Sequence, residues 1–228
     1  MLEITRIERQ VLASEPFKWA FVDKLYSFGN AAALAASFPR DNFKTVSGHD
    51  GEKGYEYVAR SLVHLGADTC TLVDHLSPAW KELAADLLSP AYRSAVGKLT
   101  GCDLSNAPME INAIHYGTGA WMGPHLDLRE KIVTHVLYFN ESWNPQNGGH
   151  INILNSSNPS DVFAEVMPIV GNSVVLVRSD NSWHSVSRVS ESCRNSRRSV
   201  NVIFHLPGSR STMWPDNETP ILRNYVGK

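Results

Sequence analysis

The stretch Met122-Gly123-Pro124-His125-Leu126-Asp127 leads into an apolar run that begins at Ile132. Side chains at positions i and i+2 of an extended segment point to the same face, so the stretch predicts His125 and Asp127 on one side of a strand. Another histidine, His184, lies far along the chain, directly after a tryptophan. If His184 lies on a neighbouring strand, the three side chains can form one triangular face around a metal ion.

This pattern has two interpretations. Two imidazoles and one carboxylate, with the other positions open, are the facial triad of non-haem Fe(II) oxygenases. The chain contains nine histidines, so an H-x-D sequence also arises by chance, and the alternative is a loop histidine beside a capping aspartate. His184 taken alone is typical of a core histidine. The position of His125 and Asp127, after a glycine-rich turn and before an apolar strand, favours the metal site.

The composition is that of a soluble globular protein. The 228 residues suit one domain, and 43% of them are hydrophobic and 19% charged. A net charge of −2 gives no electrostatic case for binding nucleic acid or an anionic membrane. No apolar stretch reaches the length of a membrane span, and the first residues are too charged for a signal peptide.

The cysteines point to the cellular compartment. Cys70, Cys102 and Cys193 are odd in number, far apart and without C-x-x-C spacing. This pattern argues against a disulfide framework or a zinc site and indicates a reducing compartment. We therefore expect a cytoplasmic protein without a nucleic-acid or membrane partner.

The chain divides into two unlike halves. Up to about residue 105 we expect helices at Asn30–Phe38, after Ser77-Pro78 and at Ala91–Leu99, with loops and short strands over 40–70. From about residue 108, short strand-like runs alternate with turn signals. These runs are Met109–Tyr116, Ile132–Asn140, His150–Leu154, Ser173–Val177, His184–Val189 and Ser199–Leu206. The pattern predicts a mainly β chain with N-terminal helices, of the sandwich or jelly-roll type.

An arginine near the last strand is a candidate anion clamp. Arg198 shares a face with Val200, Val202 and Phe204, and a guanidinium can fork onto a carboxylate. Because side chains alternate along a strand, Arg197 lies on the opposite face, and this favours Arg198 as the clamp. Either arginine can instead be a solvated surface residue.

Two tyrosines are also candidates. Tyr138 shares a face with Thr134 and Val136, where its hydroxyl can reach the same carboxylate as Arg198, or it is simply a core tyrosine. His135 lies on the opposite face and should not join the metal. Tyr116 shares a face with Ile114, Asn112 and Glu110, either as a pocket floor or as one side of a sandwich strand.

The sequence resembles the Fe(II)/2-oxoglutarate-dependent dioxygenases, in particular the small prolyl 4-hydroxylase-like group. Six blocks in matching order carry the resemblance, which is strong over about half of the chain. They begin at Pro124-His125-Leu126-Asp127, Val133-Thr134-His135, Gly148-Gly149-His150, Gly171-Asn172-Ser173, Ser182-Trp183-His184 and Arg197-Arg198-Ser199.

The resemblance implies a fold and a set of site residues. It implies one domain with a double-stranded β-helix (jelly-roll) core at 106–208, supported by 1–105 and followed by a tail at 209–228. His125, Asp127 and His184 become the ligands of Fe(II), which also binds 2-oxoglutarate and O2. The co-substrate contacts it implies are Arg198, Tyr138, Tyr116, Ile151, Val186 and Phe204. The gap from His184 to Arg198 is longer than usual, so Arg194 is a rival clamp, and Asp127 argues against the halogenase branch.

The substrate is the least determined part. Asn112, Trp121, Arg129 and Trp183 are the candidate substrate contacts, and the small size of the chain favours a small molecule from biosynthesis, such as an amino acid, a sugar-like or an antibiotic-like compound. Hydroxylation is the expected outcome, with cyclisation or epoxidation as alternatives. Three other functions stay open: a peptide side-chain hydroxylase, a metal-binding sensor or carrier without catalysis and, more weakly, a zinc hydrolase.

Overall fold

The computed structural model describes residues 1–50 and 53–227. In these residues, four α-helices lie in the first half of the chain, and eleven strands extend from residue 19 to residue 205. The helices are α1 (Ile4–Glu8), α2 (Phe28–Ala36), α3 (Pro78–Leu88) and α4 (Pro90–Thr100). The strands are β1 (Trp19–Val22), β2 (Lys44–Asp50), β3 (Lys53–Val63), β4 (Met109–Tyr116), β5 (Trp121–His125), β6 (Lys131–Tyr138), β7 (Ile151–Leu154), β8 (Val162–Val166), β9 (Ser173–Val177), β10 (His184–Val186) and β11 (Arg197–His205).

The helices begin and end where the capping residues predict. The hydroxyls of Ser77 and Ser89 each accept a hydrogen bond from a backbone N–H of the first turn, and proline follows each serine. Helix α4 ends at Gly101, whose φ of +71° places it in the left-handed region that favours glycine. Helix α2 begins two residues before the expected Asn30, because Ser27 provides its cap.

The strands form one nearly closed antiparallel sheet, consistent with the double-stranded β-helix. Their order is β1-β9-β6-β11-β4-β3-β5-β10-β7-β8, with β2 paired to β3. Strand β3 joins the two faces of the barrel, because its residues 58–63 pair with β4 and Tyr55 and Glu56 pair with β5. The rings of Trp19 on β1 and Phe163 on β8 meet edge to face at 6.3 Å between centroids, where the two ends of the sheet approach each other.

The N-terminal half contributes more of this sheet than expected. The expectation of loops and short strands over 40–70 was wrong, because β2 and the 11-residue strand β3 form a long hairpin there. Strand β1 also enters the sheet by pairing with β9. The sheet therefore extends beyond the region 106–208 in which the jelly roll was expected.

Apolar side chains pack on both sides of the sheet. The outer core lies between the helices and the outward faces of β4, β6 and β11, and it includes Trp80, whose indole Nε1 donates to the carbonyl of Leu34 at 3.1 Å. The inner core lies within the barrel and includes Val136, Tyr138 and residues of β7 and β9. Alternate residues of each strand thus have different environments, and only one set faces the barrel interior.

A buried hydrogen bond joins the helices to the sheet. The hydroxyl of Tyr92 on α4 lies 2.8 Å from Nδ1 of His135 on β6, and both side chains are fully buried. We expect Tyr92→Phe to lower the free energy of unfolding by about 1–3 kcal/mol, because the change leaves the imidazole of His135 without this partner. Urea denaturation would measure the loss. An unchanged midpoint would contradict the assignment of this bond as a structural contact.

Candidate active site

Two adjacent strands bring His125, Asp127 and His184 together. His125 is the last residue of β5 and lies directly opposite His184 of β10 in the antiparallel register. Asp127 follows two residues after the strand ends. One potential ligand atom from each side chain lies within 4.8 Å of the others, and all three side chains are largely buried. The structure therefore juxtaposes the three residues that the sequence analysis selected.

Each histidine is oriented by a backbone carbonyl. Nδ1 of His125 lies 2.9 Å from the carbonyl oxygen of Gly123, and Nδ1 of His184 lies 2.9 Å from that of Ser182. A carbonyl only accepts, so both Nδ1 atoms carry the hydrogen and both Nε2 atoms carry the lone pair. Partners of this kind fix the tautomer and ring orientation of histidines that bind metals.

The Asp127 carboxylate is held on both oxygens. Lys131 Nζ donates to Oδ1 at 2.5 Å, and Thr134 Oγ1 donates to Oδ2 at 2.7 Å. Burial would raise the pKa of this carboxyl group, but the charge and hydrogen bond of Lys131 hold the pKa well below its usual range. Asp127 is therefore an anion at neutral pH, as a metal ligand must be.

A buried arginine lies in the same cavity. The cavity has a volume of about 320 Å³ and is lined by the triad and by Arg197 at the start of β11. The guanidinium of Arg197 lies 4.8 Å from the ring centroid of Tyr116 and 5.1 Å from that of Tyr138, and the residue is only 2% exposed. Nη1 donates to Ser199 Oγ at 2.9 Å. Within the described part of the chain, Arg60 and Arg178 pair with aspartates, whereas Arg197 has no carboxylate within 4 Å.

The expected clamp Arg198 lies on the wrong side of the sheet. Its guanidinium Nη1 donates to the carbonyl of Ala35 in α2, on the helix-covered side. Phe204, which shares that face, packs in the outer core, so it does not line the cavity either. Alternation along the strand does place Arg198 and Phe204 on one face, as expected. That face was expected to line the pocket, but it packs against the helices. Arg194 is exposed on the insert and is not near the triad cavity.

The other expected co-substrate contacts lie at or beside the cavity. Tyr116, Ile151 and Val186 line it, and Tyr138 lies behind Arg197 with its hydroxyl buried. Burial raises the pKa of Tyr138 to about 12, with the charge of Arg197 acting in the opposite direction. Burial likewise raises the pKa of Tyr116 to about 12. Both hydroxyls therefore stay protonated and can donate a hydrogen bond to an anion.

A family model described as the 2OG-Fe(II) oxygenase superfamily matches residues 111–205. The match contains the triad, Arg197 and most of the strands that line the cavity. The matched segment, which is less than half of the chain, is similar to a 2OG-Fe(II) oxygenase domain. This match indicates an enzyme, and the superfamily that it describes uses Fe(II), 2-oxoglutarate and O2. No curated protein gives a significant match to the sequence.

Solved structures of known enzymes are similar to this chain in fold. A Pseudomonas putida prolyl-4-hydroxylase superposes with a TM-score of 0.56 at 19% identity, covering 89% of this chain and 97% of that one. A prolyl hydroxylase from Trichoplax adhaerens, solved with a hypoxia inducible factor peptide fragment, gives 0.51 at 17% identity, covering 82% and 83%. The epimerase SnoN from nogalamycin biosynthesis gives 0.52 at 13% identity, covering 99% and 91%.

The triad residues fit the iron that the 2OG-Fe(II) oxygenase superfamily uses. Two imidazoles and one carboxylate are the donor set of a non-haem Fe(II) facial triad, and the carbonyl partners on both Nδ1 atoms suit coordination through Nε2.

In the described residues, no helix is both long enough and apolar enough to cross a membrane.

None of the four expected substrate contacts lines the triad cavity. Asn112 is buried and accepts a hydrogen bond from Trp214 Nε1 at 2.6 Å, while Trp121 stacks against the guanidinium of Arg188 at 4.0 Å. Arg129 is exposed, and Trp183 is half-buried at the turn before His184. Lining residues that the sequence analysis missed lie on β6, on β11 and in the C-terminal segment, and they include Lys131, His205, Thr212 and Met213.

The bond from Thr134 to Asp127 gives a test of how the triad is held. We expect Thr134→Val to weaken Fe(II) binding by about tenfold or more, because outer partners of metal ligands typically contribute 10–100-fold to affinity. Competition with a fluorescent chelator would measure the change, with the exposed Thr69→Val as the matched control. Equal affinities in the two variants would show that Asp127 does not need this hydrogen bond.

Proposed function

We propose that the chain is an Fe(II)/2-oxoglutarate-dependent oxygenase that hydroxylates a small molecule. The observation that supports it most is the buried Arg197 in the triad cavity. A buried guanidinium without a carboxylate partner is costly, and an anionic ligand removes that cost. A dicarboxylate that reaches from the metal to Arg197 meets this requirement.

The roles of the residues follow from their chemistry. His125, Asp127 and His184 would hold Fe(II), and Arg197 would fork onto the far carboxylate of 2-oxoglutarate, with hydroxyls of Tyr116 and Tyr138 as further donors. Ile151 and Val186 would exclude water from the co-substrate. When bound, Fe(II) supplies the site at which O2 is activated as 2-oxoglutarate is oxidatively decarboxylated to succinate and CO2.

The size of the cavity favours a small molecule over a protein substrate. A volume of about 320 Å³ is at the lower end of typical ligand pockets. The C-terminal residues Thr212 and Met213 form part of its wall and narrow the space available to a peptide. A biosynthetic role agrees with this size, and the three cysteines, which form no disulfide among the described residues, agree with a reducing compartment such as the cytoplasm.

The experiment compares substrate classes by their effect on 2-oxoglutarate turnover. Protein loaded with Fe(II) would be supplied with 2-oxoglutarate and O2, and succinate release would be measured with pools of small metabolites and with pools of proline-containing peptides. The proposal expects metabolites, and not peptides, to raise the rate. Stimulation by peptides alone would support a peptide hydroxylase, and absence of succinate with every pool would contradict the oxygenase function.

A further inference from the structure

The cavity has a second polar end, away from Arg197. On β11, Ile203 pairs with Thr134 of β6 on one side and with Glu110 of β4 on the other. Because Thr134 donates to the triad carboxylate, Glu110 lies near the level of the triad, and His205 lies two residues further along β11. Arg197 is six residues back from Ile203 on β11, towards the other end of the strand. Glu110 and His205 are therefore separated from the co-substrate end.

The polar groups at this end are incompletely bonded. Glu110 Oε1 accepts a hydrogen bond from Ser211 Oγ at 2.5 Å, but Oε2 lies 3.9 Å from His205 Nε2, too far for a hydrogen bond. Neither ring nitrogen of the buried His205 has a hydrogen-bond partner in the described chain. Burial, with the charge of Lys131, lowers the pKa of His205 to about 4. A neutral imidazole offers one donor and one acceptor, and a bound partner would satisfy both.

The charges of the cavity balance without a charged substrate. Among the described residues that line it, the charged side chains are Glu110, Asp127, Lys131 and Arg197, two of each sign. The charges of Fe²⁺ and the 2-oxoglutarate dianion also cancel. A substrate with a net charge would therefore leave an uncompensated charge in a largely buried site, which is costly.

The walls at this end suit the faces of a ring. Tyr55 and Tyr57 of β3 line the cavity, and the ring of Tyr57 stacks on that of Tyr116 at 5.2 Å between centroids. Met213 lies on the C-terminal segment, in which the hydroxyl of Ser211 donates a hydrogen bond to Glu110. Aromatic and thioether groups offer apolar surface for C–H groups, while Glu110 and His205 offer hydrogen bonds.

We infer that Glu110 and His205 are the substrate-recognition end of the cavity and bind neighbouring hydroxyl groups of a small, uncharged, hydroxylated ring. A hydroxyl both donates and accepts, so a pair of them satisfies a carboxylate acceptor and a neutral imidazole together. An ammonium only donates, and a carboxylate only accepts. This inference rests on the proposed function, because the triad must hold the reactive centre next to the bound ring.

Saturation-transfer difference NMR on protein loaded with Zn²⁺ and 2-oxoglutarate tests the inference, since Zn²⁺ replaces Fe²⁺ without paramagnetism. The probes are myo-inositol and methyl α-D-glucopyranoside, with putrescine and acetyl-prolinamide as comparators. We expect saturation transfer to the two hydroxylated probes and weaker transfer to the comparators. Stronger transfer to a comparator, or none to the hydroxylated probes while the 2-oxoglutarate signal is present, would overturn the inference.

Variants locate the binding at this end. Glu110→Ala and, separately, His205→Ala should each weaken the hydroxylated-probe signal by about tenfold or more relative to 2-oxoglutarate. Glu141→Ala, which removes an exposed glutamate, is the matched control and should not change it. An unchanged probe signal in either folded variant, or equal loss of the probe and 2-oxoglutarate signals, would overturn the inference. A missing 2-oxoglutarate signal in the unaltered protein would instead count against the proposed function.

Discussion

Replacing Arg197 with alanine should raise the KM for 2-oxoglutarate by about 100-fold. Removing one partner of a buried charged pair typically costs about 2–5 kcal/mol, and each 1.4 kcal/mol changes an affinity tenfold. Arg197 is buried between Tyr116 and Tyr138 in the triad cavity, where no carboxylate of the described chain offsets its charge. The measurement is the rate of succinate formation as a function of 2-oxoglutarate concentration.

Two neighbouring arginines provide matched controls. Arg198→Ala removes a guanidinium that bonds to the carbonyl of Ala35, so it should cost about 1 kcal/mol of stability and leave the KM for 2-oxoglutarate almost unchanged. Arg194→Ala changes an exposed residue and should affect neither quantity. A larger rise in KM for Arg198→Ala or Arg194→Ala than for Arg197→Ala would move the clamp away from Arg197.

Replacing Asp127 with alanine should abolish turnover and weaken Fe(II) binding by more than about 100-fold. Removing a ligand has a larger effect than removing an outer partner, for which 10–100-fold is typical. The change also removes the anionic partner of Lys131. An uncompensated positive charge then lies beside the two histidines, where the unaltered protein has a carboxylate ligand. Chelator competition would measure the metal affinity, and succinate formation would measure turnover.

The control for this variant is Asp68→Ala, which removes an exposed carboxylate elsewhere on the surface. It should leave metal affinity and turnover unchanged. If Asp127→Ala retained the metal affinity and the turnover of the unaltered protein, the triad would be misassigned, whatever the outcome at His125 and His184.

The parts of the fold with local signals were predictable from the sequence. Serine and proline mark the starts of α3 and α4, and the strand-like run from Met109 to Tyr116 matches the bounds of β4. The long hairpin of β2 and β3 was not predictable in this way, because β3 is stabilised by pairing with β4 and β5, which are distant in sequence. The residues of β3 show no sustained alternation of polar and apolar side chains.

The candidate site likewise contains residues that were predictable from the sequence and residues that were not. The H-x-D spacing placed His125 and Asp127 together, but alternation along β11 shows only which residues share a face, not which face meets the helices. The apolar face with Val200 and Val202 lies against the helices, so the polar face with Arg197 and Asn201 lines the cavity. That difference in polarity was the available signal. The role of the C-terminal segment had no local signal, since it depends on contacts with β4.

Anaerobic titration of the Fe(II)-loaded protein with 2-oxoglutarate is the measurement that tests the central claim most directly. Co-ordination of 2-oxoglutarate to Fe(II) at the triad should produce a metal-to-ligand charge-transfer absorption band that saturates with one equivalent of co-substrate. The band should require Asp127 and should need far more 2-oxoglutarate in Arg197→Ala. Fe(II) binding without any such band would contradict the account and would fit a metal-binding protein that does not use 2-oxoglutarate.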